Sequence, residues 1–94
     1  MRKQKVVSAV RAKTDAITKS SRSKELNFWI RHNGEEKFRV TIPKGRGELP
    51  KGTENSIRKQ LRLDKTQFRA FVDCDMTAAG YKRHLDELAE KGQL

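Results

Sequence analysis

The chain has 94 residues, 34% apolar and 36% charged, with a net charge of +10. That length suits one small domain with a modest core; the single cysteine, Cys74, excludes an intrachain disulfide and leaves no Cys/His set for a structural zinc. Residues 1–63 hold 17 Lys/Arg against 6 Asp/Glu, whereas residues 64–94 hold 5 against 6, so the field of the first two-thirds suits a polyanion, either nucleic acid or an acidic protein.

The basic start Met1-Arg2-Lys3-Gln4-Lys5 is followed by no apolar signal core, and no stretch is apolar enough to span a membrane. The expectation is a cytoplasmic protein without membrane contact. Residues 3–18 read as a first helix, with Val6, Val10 and Ile17 on one stripe beside Ala9 and Ala16. Ser20-Ser21-Arg22-Ser23 reads as a polar loop.

A hairpin follows, spanning 26–42. Leu26, Phe28, Ile30 and His32 alternate onto one face of its first strand; Asn27, Trp29 and Arg31 take the other. Asn33-Gly34 is a two-residue turn signal. Phe38, Val40 and Ile42 return on the apolar face, with Lys37, Arg39 and Thr41 opposite, and Pro43 ends the strand. Residues 44–52 form a basic, Gly-rich loop. Thr53 reads as the N-cap of a helix reaching Leu61 or Leu63, with Ile57 and Leu61 inward. Asp64 with Gln67 has capping-box spacing ahead of Phe68, Phe71 and Val72. Thr77 caps a last helix bearing Tyr81, Leu85 and Leu88, and Gly92 suits its C-terminal end. The class is α+β, a small antiparallel sheet with helices packed on one face.

No Ser/His/Asp set, paired-carboxylate pocket or metal cluster stands out, and no cofactor is expected. Asp73 and Asp75 read as turn and cap residues, Cys74 as a small core residue, and His84 as a solvated helix residue. Two readings stand for Trp29: a stacking platform for a base or ribose, or core beneath another element. Two also stand for His32: a partly covered strand-end residue, or an acid–base group near the loop. The basic surface carries the binding expectation. Trp29, Arg31, Lys37 and Arg39 interleave charge with an aromatic on one sheet face; Lys44, Arg46, Lys51, Thr53, Arg58 and Lys59 follow on the loop and helix.

Val40-Thr41-Ile42-Pro43, Lys44-Gly45, Lys51-Gly52-Thr53, and Ile57 with Gln60 together resemble the second half of a HicA-type (YcfA-like) toxin domain; Arg31-His32 and Gly34 match the segment before. The resemblance covers residues 26–63 well and the first helix loosely. It implies a double-stranded-RNA-binding-type (dsRBD-like) fold of order α-β-β-β-α, mRNA cleavage, and a HicB-type antitoxin as partner. It divides the chain into a HicA-like nucleic-acid-binding domain, 1–63, and a helical extension of the same domain, 64–94. The family's catalytic His lies in a Gly-Ser-His motif that this chain lacks; the motif position falls on Glu25-Leu26-Asn27, which puts Asn27 where the His stands. No first sheet strand is evident between Ser20 and Lys24. Two functions follow: an RNA-binding protein of the toxin family, whose cleavage needs His32 or another mechanism, or a non-catalytic nucleic-acid-binding or adaptor module. RNA, either mRNA or double-stranded RNA, is the first expected partner, and an acidic protein such as a HicB-type antitoxin the second.

Overall fold

The computed structural model describes residues 1–19, 25–45, 47–73 and 75–94. The expectations for the Ser20–Ser23 loop, for Arg46 and for Cys74 lie outside these. Helix α1 (Lys3–Lys13) buries Val6, Ala9 and Val10, and places Arg11 and Lys13 in its last turn, where cations suit the helix dipole. It stops earlier than its apolar stripe suggests. Thr14 turns extended, and its hydroxyl donates to the Val10 carbonyl at 2.6 Å. Residues 16–19 then form a strand rather than the end of the helix. Strand β1 (Ala16–Lys19) pairs antiparallel with β2 (Glu25–His32), from Ala16 opposite Ile30 to Lys19 opposite Asn27. Ladder bonds to the open edge of β2 outweigh the weak local helix signal of Ala-Ile-Thr-Lys, which carries two β-branched residues.

Strand β3 (Glu35–Pro43) returns along the other edge of β2, giving a three-stranded antiparallel sheet in the order β1-β2-β3. The turn is the two-residue type the sequence indicates: Asn33 and Gly34 both have positive φ, 53° and 84°. The register shifts between Ile30 and Arg31, so that Arg31 faces Glu36 and Lys37 is the extra residue of a bulge. Phe28, Ile30, Phe38, Val40 and Ile42 are buried on the inner face, as alternation requires.

Helix α2 (Lys51–Gln60) begins three residues earlier than an N-cap at Thr53 predicts. Pro50 occupies the N-cap, and no side chain caps the helix. Proline's fixed φ suits the helix entrance and costs no backbone donor there. At the far end Arg62 takes φ 65°, and the amides of Arg62 and Leu63 return to the carbonyls of Lys59 and Arg58. Helix α3 (Lys65–Val72) opens with the reciprocal cap: Gln67 N donates to Asp64 Oδ1 at 2.7 Å, and Asp64 N to Gln67 Oε1 at 2.9 Å. Thr77 Oγ1 accepts from Gly80 N at the start of α4 (Ala78–Glu90), and Gly92, at φ 69°, closes its end. The elements run α-β-β-β-α-α-α, an α+β fold. Val6 and Val10 of α1, Ile57 and Leu61 of α2, Phe68 and Phe71 of α3, and Tyr81 and Leu85 of α4 join the inner sheet face in one core.

Three polar links fasten α4 across this core. The Tyr81 hydroxyl donates to the Leu61 carbonyl at 2.9 Å, and burial pushes its phenol well above the usual range, so it stays a donor. His84 Nε2 lies 2.5 Å from the Arg62 carbonyl, so this side chain is engaged rather than solvated. His32 Nε2 lies 2.5 Å from Asp86 Oδ1. At the opposite end, Lys3 N donates to the Gly47 carbonyl and Leu49 N to the Met1 carbonyl, which ties the basic loop to the start of α1.

Candidate nucleic-acid interface

The alternation that sends Phe28 and Ile30 inward sends Asn27, Trp29 and Arg31 outward. On the outer face Trp29 sits on the central strand between Ile17 of β1 and Arg39 of β3. It is half-buried, as are Ile17, Asn27, Arg31 and Thr41, and Arg39 is exposed. The Arg39 guanidinium lies 5.6 Å from the Trp29 ring centroid. An exposed cation–π contact is worth about 0.5–1 kcal/mol, little enough for a base to take the guanidinium's place on the ring.

The neighbouring cations are held lightly. Arg31 Nη2 meets Asp15 Oδ1 at 2.7 Å, and Lys37 Nζ meets Glu35 Oε2 at 2.9 Å. The Lys37 ammonium holds the Glu35 carboxyl below its usual range. Surface pairs of this kind contribute about 0–1 kcal/mol, so a phosphate competes for either cation on even terms. Asn27 Oδ1 accepts from Thr41 Oγ1 at 3.0 Å, and Thr41 N donates to Gln60 Oε1 at 2.8 Å. Gln60 thereby covers a backbone donor of β3 and sets α2 against that strand.

His32 lies elsewhere. It is 8% exposed, on the inner side of β2, with Nε2 on Asp86 of α4. The carboxylate accepts, so Nε2 carries the proton. That hydrogen bond, with Lys82 beside it, holds the Asp86 carboxyl below its usual value. The structure therefore separates the two catalytic candidates: Asn27 on the outer face, His32 on the inner. Neither imidazole among the described residues reaches the Trp29 surface, since His84 is spent on the Arg62 carbonyl.

The loop and helix residues form a second group. Lys44, Lys51 and Lys59 are exposed; Thr53 and Arg58 are half-buried. Thr53 is the third residue of α2, not its cap. Gly52, in the first turn, has no atom within 4 Å of where a Cβ would stand, so nothing in the packing demands glycine there. Arg58 Nη1 donates to the Leu63 carbonyl at 3.0 Å. Lys51 and Arg58 line a groove with Lys65 and Arg69 of α3, two residues that sequence reasoning passes over because they fall on a nearly neutral extension. Their four-residue spacing on one helix face is the available signal.

Among the described residues no helix is long and apolar enough to cross a membrane, and no three metal-ligating side chains come together. Comparison with family models, with curated proteins and with solved structures gives no match.

Proposed function

We propose that this protein binds RNA on the outer face of its sheet and on the adjoining basic loop and helix, and that it holds the RNA without cutting it. The observation that carries this reading is the outer sheet face, where half-buried Trp29 has Arg39 across the strand and Arg31 two residues along its own, while His32 is turned inward onto Asp86. Stacking on an aromatic with cations beside it is how sequence-tolerant RNA binders hold a strand. The order α1-β1-β2-β3-α2 supports kinship with the HicA-type domain that the sequence resembles. The missing Gly-Ser-His motif and the inward His32 leave the binding half of that resemblance without the cleaving half. An acidic protein of the HicB kind would meet the same cationic surface and compete with RNA for it.

Trp29 is the only tryptophan, so its emission reports on its own site. Titration with single-stranded and double-stranded RNA at low salt should quench it, with an affinity that falls as salt rises. The RNA should remain intact after long incubation, with His32→Ala as a control that changes nothing in that respect. Unchanged emission and no retained RNA at low salt would refute binding. Cleavage that disappears in His32→Ala would refute the non-cutting reading.

A further inference from the structure

A groove of about 1440 Å³ opens between α1, α2 and α3, and no residue of the sheet lines it. Seven basic and three acidic side chains line it, and two of the acids are already engaged. Glu48 takes the Met1 ammonium at 2.7 Å, with Arg2 at 3.9 Å, and Asp73 takes Lys5 at 3.4 Å. Lys13 gives its ammonium to the Phe71 carbonyl. Glu54 is then the one carboxylate left to face Lys51, Arg58, Lys65 and Arg69, and among the described residues none of these four is in an ion pair.

Two details set these cations apart from an ordinary solvated surface. Arg58 is pinned through Nη1 to Leu63, and its Nε is buried with no partner, an unmet donor that costs stability. Lys65 and Arg69 lie one turn apart on the same face of α3, and like charges at that spacing weaken a helix. Neither the unmet Nε nor the Lys65–Arg69 repulsion favours folding. A bound polyanion would offset the charge repulsion.

We propose that this groove is a second track for RNA, in which the phosphodiester backbone is gripped by Lys51, Arg58, Lys65 and Arg69. The inference rests on the RNA reading above and adds α3, from the C-terminal extension, to the binding surface. Phosphate contacts of this type fix position and carry no base preference. An acidic amphipathic peptide fits less well, because Ala9, Phe68 and Val72 behind the cations are already buried and offer it no apolar anchor.

The test uses the full chain and a fluorescently labelled single-stranded RNA, with anisotropy read over a salt series. Each cation withdrawn from a phosphate takes about 0.7 from the slope of log affinity against log salt, or about fivefold in affinity at 0.1 M salt. Lys65→Ala/Arg69→Ala should therefore lower the slope by about 1.4 and the affinity by about 25-fold. Lys65→Glu replaces a like-charge pair by a favourable one, so its melting temperature should hold or rise while RNA affinity drops. Unchanged slope and affinity in the double variant, with binding still weakened by Trp29→Ala, would overturn the groove and leave the sheet reading standing. Absence of RNA binding by the unaltered chain at low salt would overturn both. Loss of polyglutamate binding with RNA binding intact would assign the groove to an acidic protein and overturn the RNA track.

Discussion

On the inner face of the sheet Phe28, Ile30, Val40 and Ile42 are fully buried beneath the helices; on the outer face their immediate neighbours Asn27, Trp29, Arg31 and Thr41 are half-buried and meet polar partners. The same strands supply both sets, one residue apart. Inner residues are fixed by packing, since each deleted methylene leaves a void that the close-packed surroundings do not refill. Outer residues are fixed by much weaker forces, and a partner displaces those at little cost. The even-numbered residues of β2 therefore hold the fold together, and the odd-numbered ones carry the RNA binding proposed above. His32 is even-numbered, and its placement follows that rule rather than the chemistry its imidazole offers.

Substitutions on the two faces should separate these roles sharply. Phe28→Ala should cost about 3–5 kcal/mol of folding stability, read by urea unfolding. A cost within the range of outer-face changes would break the distinction between the faces. His32→Ala should come next, at about 1–3 kcal/mol for removal of a buried hydrogen bond, with RNA affinity unchanged in the folded protein. A large drop in affinity at unchanged stability would move His32 to the functional side. Trp29→Ala should change stability by only about 0.2–1 kcal/mol, the scale of a cross-strand pair, yet weaken RNA binding by about 1–3 kcal/mol. The smallest effect concerns acid. The His32 hydrogen bond and Lys82 hold the Asp86 carboxyl below its usual value of 3.8 in the folded state. Stability from this link is therefore present above that value and disappears as pH falls through the lower folded one. Thermal melts between neutral pH and the acid limb should show that decline in the parent chain, and Asp86→Asn should flatten it.

The hairpin is legible in the sequence because two local signals agree: alternation from Leu26 to His32 and from Phe38 to Ile42, and Asn33-Gly34 where both turn residues need positive φ. The caps at Asp64 and Thr77 are legible for the same reason, since each spans only three residues. Strand β1 is not. Ile17 falls at a helical offset from Val6 and Val10, and only pairing with Trp29, a distant residue, makes it a strand residue. The start of α2 is misread because Thr53 is a better cap by chemistry than Pro50, which wins by its fixed backbone. Of the candidate site, alternation assigns Trp29, Arg31 and Arg39 to one face correctly. Of the groove, only the four-residue spacing of Lys65 and Arg69 shows in the sequence, because its cations come from three helices that meet only in space. The partners of the two histidines, Asp86 and the Arg62 carbonyl, lie 54 and 22 residues from them, beyond any local pattern.

The fastening of α4 also bears on the order in which the molecule comes together. The β2–β3 hairpin closes over a two-residue turn, whereas α4 reaches back 54 residues from Asp86 to His32 and 20 from Tyr81 to Leu61. Contacts so far apart in the chain are late rewards, made after the loops between them have been closed. Helix α4 therefore seats late in folding, as do the links from Lys5 and Lys13 of α1 to Asp73 and Phe71, which span 68 and 58 residues. Tyr81→Phe should speed unfolding while leaving the folding rate nearly unchanged, read by stopped-flow unfolding in urea.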